Sequence, residues 1–595
     1  MSNEQGSCFE FGPFRLNAVE RMLLRDGQAV PLPPKVFETL VALVENSGRL
    51  LAKEELITRL WPDTFVEEGT LARNISDLRK ALGETSGGQK YIETVPKAGY
   101  RFVAGVQRLS MGEAAVVVRR HTRSRVVVDE EIIAETRRKS LAVMPFKTLG
   151  MNEADEYLGL GMADALITRL SNLRQIMVRP TSAVFRYSGK EVDPVSAGRE
   201  LSVESVLDGT IKRDGDRLSI RVQLVSVKDQ SALWASTFDE KFTDIFEVED
   251  RISERIAAAL DLELSGSERA LIARRQTENV GAYDAYLRGR FFLNKRTAHW
   301  IKKAAVQFEE AIRIDPGYAA AHAGLGDTYT HLVTWDAMLP IDGLPKAKAA
   351  ARRALEIDDT LDEALAGLAH TMLHSWEFDD AERAFKRALE LNPSYTSTHL
   401  WYSEYLAAMG RFDEAISSIR RGQRLDPLSS VLNTEVGWMY FLARRYDEAV
   451  EHLRKASELD PGFWLAHSRL WEVYVQIGEV ESANLEFQQT LSLADQTPMV
   501  ALQTATAYAH SGKRDNALRL LEGLKELWSQ RYFSPFRIAL IYAALGDADS
   551  TFEWLEQGYL MRDARMIFLK VDPGLDPVRD DSRYQNLLQR VGLRE

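Results

Sequence analysis

The 595-residue chain contains a single cysteine, Cys8. That excludes an internal disulfide framework and any zinc module built on several thiolates. No run of about 18 consecutive apolar residues occurs, so no membrane-spanning helix is expected. The polar start, Met1 to Gly6, has no basic segment followed by an apolar one, so no signal peptide is expected and the chain reads as cytoplasmic. The patterns GxxxxGK[ST], GxSxG and HExxH are all missing from the sequence. Their absence argues against an enzyme, and no cofactor is expected. Gly159-Leu160-Gly161 lacks a third glycine and reads as a helix-packing site. His370 and His374 are spaced i, i+4, which can hold a metal, but no third ligand is evident in the sequence and none is expected to bind.

What is present is abundant charge, unevenly spread. The net charge is −12. Residues 1–105 carry −1, residues 106–139 carry +3, and the rest of the chain carries −14. Bulk acidity argues against a nonspecific nucleic-acid coat, so any DNA contact belongs to the front of the chain and to local geometry.

The back half repeats. Asn392-Pro393, Asp426-Pro427 and Asp460-Pro461 recur every 34 residues, as do Ala381, Ala415, Ala449, Ala483 and Ala517. Gly410, Gly478, Gly512 and Gly546 keep the same period, with Arg444 in one glycine slot. Between these marks the apolar spacing is helical, as in Ala381, Phe385 and Ala388. A small residue at a fixed place lets two antiparallel helices approach closely, the glycine ends the first, and Asp-Pro or Asn-Pro ends the second. This pattern resembles the tetratricopeptide repeat over residues 280–595, with extra residues around Thr334–Pro345. A helical solenoid of another family would share the same helix-pair stack. The resemblance implies a concave groove for a protein or peptide, lined by Trp401, Trp438 and Trp471 unless these pack in the core.

Residues 9–104 read differently. Short apolar runs flank Asp26-Gly27, a hairpin signal. A helix then opens at Pro33-Pro34 with Phe37, Leu40, Leu43 and Val44 on one face, and Gly48 closes it. A second helix spans about Lys53–Trp61 and a third about Thr70–Leu82, whose stripe of Leu71, Ile75, Leu78 and Leu82 is buried. Tyr91–Val95 and Tyr100–Val103 flank Pro96-Lys97-Ala98-Gly99, a hairpin with an exposed tip. The runs Leu78-Arg79-Lys80-Ala81-Leu82 and Gly99-Tyr100-Arg101-Phe102 resemble the OmpR-type winged helix, CadC-like branch. CadC-like proteins carry a transmembrane helix after this domain and this chain does not, which puts a periplasmic sensing role in doubt.

That resemblance implies a third helix entering the major groove of double-stranded promoter DNA. Its non-core face would present Arg73, Asn74, Ser76, Asp77 and Lys80, with Arg79 beside the leucine stripe. Asn pairs with adenine, Arg with guanine, and Asp accepts from cytosine. Arg79, Lys80, Lys97 and Arg101 would hold phosphates, Lys97 from the hairpin tip. The bland alternative for each residue is a solvated helix face. Residues 68–101 net only +2, so tandem or homodimeric occupancy of half-sites is expected.

Residues 105–139 form a linker, part of which (Glu130–Lys139) suits a helix. From Ser140, Leu141–Phe146 reads as a buried strand, Tyr157–Leu173 as a helix, and Val203–Ile211 with Leu218–Val227 as a hairpin about Asp214-Gly215-Asp216. A strand at Ala232–Phe238 and a helix from about Asp244 to Leu264 complete the unit. Residues 140–262 resemble the TolB amino-terminal-like domain, whose chemistry is not established. The expected fold class is multidomain and mainly α: a winged helix-turn-helix, an α/β middle domain and a carboxy-terminal α-solenoid of tetratricopeptide repeats. The function this implies is a transcription regulator whose array receives a protein or small-molecule signal. The alternatives are an interaction scaffold, or a ligand sensor, whose winged helix does not bind DNA.

Overall fold

The computed structural model describes residues 8–593 apart from 18–21, 26–27, 31, 33, 61–67, 83, 85–89, 96–97, 110–138, 151–154, 172, 174, 263, 267, 270–274, 494–497 and 529–530. The turn at Asp26-Gly27, Lys97 and nearly all of the linker with its suggested helix lie outside the described residues. The chain divides into two compact units, Met1–Thr136 and Arg137–Glu595.

In the first unit, strands β1 (Cys8–Phe11), β2 (Phe14–Asn17), β3 (Met22–Arg25) and β4 (Gln28–Ala29) form an antiparallel meander. Helix α1 (Pro34–Glu45) follows, with proline in its first turn, where the missing N–H costs nothing. Its stripe Val36, Phe37, Leu40, Leu43 and Val44 is buried. Then come β5 (Leu50–Ala52), α2 (Lys53–Leu60), α3 (Glu68–Ala81), β6 (Ile92–Val95), β7 (Gly99–Phe102) and β8 (Gln107–Leu109). A three-stranded sheet runs β5-β7-β6, and β8 returns to the edge of β1. The core joins both sheets to the helices through Phe11, Phe14, Tyr91 and Phe102, whose rings meet at centroid separations of 5.0–6.4 Å. This is the winged-helix order expected. Strands β5 and β8 are additions, each too short to leave an alternation that sequence reading can detect.

The second unit opens with a six-stranded sheet. Strand β9 (Lys139–Val143) lies parallel to β11 (Ile176–Val178) on one side and β12 (Ser205–Asp214) on the other. An antiparallel meander β12-β13 (Arg217–Ser226)-β14 (Ser231–Lys241) continues it, and β10 (Lys147–Thr148) pairs with β12. The helices Tyr157–Ser171 and Ile245–Ala259 pack together beside the sheet. The Thr181–Phe185 and Pro194–Glu200 helices had no sequence counterpart.

From Val280 onward the chain is helical pairs. The small positions Ala381, Ala415, Ala449 and Ala517 are fully buried, and Ala483 nearly so. First helices, such as Asp362–His374, are buried almost all round, whereas second helices, such as Phe378–Leu391, bury a single stripe. Between the two, the backbone turns left-handed at Gly410, Gly478, Gly512 and Gly546 with φ of 72–79°. The same slot is left-handed at Trp376 (φ 64°) and Arg444 (φ 60°), where a side chain carries a steric cost. Both make contacts that offset it. Trp376 stacks on Tyr559, and Arg444 forms a bidentate pair with Asp576.

Those partners belong to the carboxy-terminal segment, which folds back into the array. Its short turn Ala564–Phe568 lies against the first helices Ala319–Thr334, Asp362–His374 and Thr396–Ala408. The inner face expected to receive a peptide is therefore covered along this stretch by the chain's own tail. Trp401, Trp438 and Trp471 are buried, 4–6% exposed, and Arg469 lies 3.4 Å from the centre of the Trp438 ring.

Candidate nucleic-acid interface

Helix α3 divides cleanly into two faces. Leu71, Ile75, Leu78 and Leu82 are at most 2% exposed and seal it onto the first unit's core. Arg73, Ser76 and Lys80 lie on the exposed face together with Thr70 and Ala72. Asp77 lies on α3, but its side chain is outside the described residues.

Asn74 is a correction. Expected to face bases, it is 8% exposed and turns inward to α1. Its amide donates to Thr39 Oγ1 at 3.2 Å and to the Lys35 carbonyl at 3.4 Å. The reason lies in the helix period: Asn74 follows Leu71 by three and precedes Leu78 by four, which places it on the buried stripe. Arg79 is also engaged. Its guanidinium donates to the Ile92 carbonyl at 3.0 Å and Thr94 Oγ1 at 2.7 Å, and pairs with Glu84 at 3.3 Å. Glu84 in turn accepts the backbone N–H groups of Tyr91 and Ile92 at 2.6 and 2.7 Å. Arg79 and Glu84 thus form a strut that fixes the angle between α3 and the β6–β7 hairpin. Arg101 sits across from Glu93 in the β6–β7 register and pairs with it at 3.5 Å. Gly99 is dictated by packing, since a Cβ there would lie 1.9 Å from the Leu51 carbonyl oxygen.

Among the described residues, the arrangement offers an exposed helix face carrying Arg73 and Lys80, held by a leucine seam and tied through Arg79 to strand β6. That is the geometry with which a helix enters a major groove.

The second unit carries a different feature. Arg290 bridges Asp164 of the middle domain, at 2.8 and 3.0 Å, to Glu363 of the array at 3.1 Å. Arg179 donates to the carbonyls of Leu201, Ser202, Arg424 and Leu425, and Ser182 donates to Asp426 at 2.6 Å. Between the two bodies lies a cavity of about 380 Å³ lined by Asp164, Arg290, Arg296, Asp327, Glu363 and Trp401, among others. Burial pushes the Glu363 carboxyl up to about 7 against the pull of Arg290, and burial lowers Arg296. Sequence reading missed this docking surface, because its members are single residues far apart in the chain.

Comparison with known families agrees with this layout. Residues 27–102 match the family described as "Transcriptional regulatory protein, C terminal". Residues 137–255 match "HilA/YgeH-like transcriptional regulator, second domain". Residues 432–463 match the tetratricopeptide repeat. Among curated proteins, the chain is 30% identical over 247 residues to "Putative adenylate cyclase 3" of Rhizobium meliloti, covering 41% of this chain and 42% of that one. It is 24% identical over 380 residues to "Transcriptional regulator HilA" of Salmonella typhimurium, covering 62% and 61%. It is 35% identical over 83 residues to "Transcriptional activator CadC" of Escherichia coli, covering 14% and 16%. The chain thus spans less than two thirds of the length of each of these relatives. The OmpR-type, CadC-like and tetratricopeptide resemblances read from the sequence are upheld by these matches. Among the described residues, no helix is long and apolar enough to cross a membrane.

Proposed function

We propose that this protein is a DNA-binding transcription regulator. Its helix α3 reads promoter DNA in the major groove, and its second unit receives a signal. The observation that carries the reading is the polar outer face of α3, within a segment that matches a regulatory DNA-binding family. Arg73, Ser76, Asp77 and Lys80 are the residues assigned to the groove, with Lys97 and Arg101 as phosphate contacts. Asn74 and Arg79 shape the domain instead. With two of the groove cations on α3, a single domain binds weakly, and paired half-sites raise the affinity.

The relatives named as regulators support a non-enzymatic role; the match to a protein named as a cyclase leaves the shared segment open to more than one setting. The cavity between middle domain and array favours a small-molecule signal over a peptide, because the inner face of the array is partly filled. The domain limits proposed are 9–104, 140–262 and 280–595, with a linker at 105–139, in a cytoplasmic protein.

The test is titration of the full chain against promoter fragments from its own genome at several salt concentrations. Specific binding with log-affinity falling linearly in log-salt is expected. Affinity that ignores both sequence and salt would favour the scaffold reading.

A further inference from the structure

Helix Asp362–His374 carries His370 and His374 one turn apart, and helix Thr396–Ala408 of the next repeat carries Glu404. The sequence shows the first two donors and hides the third, because Glu404 lies 30 residues on and only the repeat stack brings it back. In the fold, one donor atom from each of the three lies within 4.8 Å of the others. The Nε2 atoms of His370 and His374 are 3.1 Å apart, and Glu404 Oε2 is 3.9 Å from His370 Nε2.

The orientation of each ring is fixed from outside the cluster. His374 Nδ1 lies 3.1 Å from the Ala564 carbonyl oxygen. A carbonyl can only accept, so Nδ1 carries the hydrogen, and the neutral ring presents its Nε2 lone pair to His370. This is the carbonyl-backed arrangement that fixes a metal-ligating imidazole. His370 is stacked on Trp401, ring centroids 4.4 Å apart and 4° from parallel, so its plane is held as well. Both histidines are at most 5% exposed. Without an ion, the His370 Nε2–H donates to His374 Nε2, and His370 Nδ1 is left without a partner; an ion on the two Nε2 atoms takes the place of that hydrogen bond.

A four-coordinate ion with bonds of about 2.0–2.1 Å needs its ligand atoms about 3.3 Å apart. The 3.1 and 3.9 Å separations lie either side of that value, and the third pair, His374 with Glu404, lies within 4.8 Å, so the Glu404 carboxylate must swing inward to complete the set. Glu404 is the most exposed of the three donors, its side chain 22% exposed. Burial pushes the Glu404 carboxyl up to about 8, with Glu435 adding to the rise and Arg565 and Arg469 opposing it; a bound cation takes the place of that proton, and the donor atoms decide the preference. Two imidazoles and one carboxylate suit zinc and neighbouring transition ions; magnesium and calcium require oxygen ligands.

We propose that His370, His374 and Glu404 form a binding site for a divalent transition-metal ion, zinc foremost. The ion joins two successive repeats. Through the second nitrogen of His374 it also braces the Ala564–Phe568 turn, so occupancy reports on closure of the tail over the array.

The full-length protein, stripped with a chelator and dialysed, is titrated with zinc chloride against a chromophoric competitor. One tight equivalent is expected, with magnesium failing to compete. Glu404→Gln and His374→Gln each weaken it about 100-fold or more, since loss of a mere supporting partner already costs 10–100-fold. Cobalt substituted into the unaltered chain gives the intense visible bands of a tetrahedral centre, a result that depends on no variant. Hydrogen exchange across 564–568 slows when zinc is added. Absence of a tight equivalent and of the cobalt bands would overturn the site. So would undiminished zinc binding by Glu404→Gln, a near-isosteric change at a partly exposed position.

Discussion

Two neighbouring residues of α3, Arg73 and Asn74, separate folding from recognition, and replacing each by alanine tests the assignment. The Asn74 amide makes two neutral hydrogen bonds inside the domain, at 3.2 Å to Thr39 Oγ1 and 3.4 Å to the Lys35 carbonyl. Losing them costs about 1–2 kcal/mol of domain stability. Thr39 keeps its own bond to the Lys35 carbonyl at 2.6 Å, so the loss stops there. Asn74→Ala should therefore lower the denaturant midpoint of the first unit while the folded fraction binds DNA as before. Arg73 is exposed, and Arg73→Ala removes one phosphate or base-edge contact without touching the core. If the contact is to phosphate, the slope of log-affinity against log-salt falls by about 0.9. Between about 50 and 200 mM salt, that slope change erodes the advantage of the unaltered chain roughly threefold to fourfold. Binding isotherms at four or more salt concentrations, paired with urea unfolding, measure both. The reasoning is refuted if Asn74→Ala alters preference at one base pair while stability stays intact.

Further expectations concern the second unit. A Cβ at Gly159 would lie 2.1 Å from the Phe146 carbonyl oxygen, where Phe146 N donates back to the Gly159 carbonyl at 3.0 Å; Gly159→Ala should cost about 3 kcal/mol by overpacking, and an unchanged urea midpoint would contradict the packing role. Arg179→Ala leaves the carbonyls of Leu201, Ser202, Arg424 and Leu425 without this donor and removes one of three guanidinium groups acting on the buried Asp426, Arg296 and Arg186 remaining, a loss of about 3 kcal/mol. It should speed hydrogen exchange around residues 424–428, and unchanged exchange there would exclude Arg179 as the docking strut. Burial pushes His399 down to about 4, against about 6.5 in an unfolded chain. On acidification the unfolded chain takes up that proton first. The stability His399 contributes is whole above pH 6.5 and drains away as pH falls toward 4, by about 3 kcal/mol at most. His399→Gln should flatten that limb of the stability curve, and a superimposable curve would rule the effect out.

Features with a short period were legible from the chain, and features built by long-range meeting were not. The stripe Leu71, Ile75, Leu78 and Leu82 and the 34-residue alanine marks repeat along the sequence, so burial and helix pairing follow from counting. Asn74 was also legible by the same count, yet its polar side chain suggested the wrong face. The left-handed slot at Trp376 was hidden because the residue that usually reveals it is absent. Arg179 and Glu404 gave no signal, since each acts on residues that only the folded array brings within reach, and Asp426 was legible as a repeat mark but not as the partner of Ser182. Arg79 shows the middle case. Its place at the end of a helix was readable, but the Glu84 carboxylate that captures it was not, because a loop intervenes.

A stack of repeats with free ends melts one unit at a time, each unit answering only to its neighbours. Here the pairs Trp376–Tyr559, His374–Ala564 and Arg444–Asp576 fasten the last turns to much earlier ones. The string is knotted back on itself, so fraying at the far end must first break bonds near the middle. Unfolding of the array should therefore be all-or-none, and a visitor to the inner wall along that stretch must first displace the Ala564–Phe568 turn.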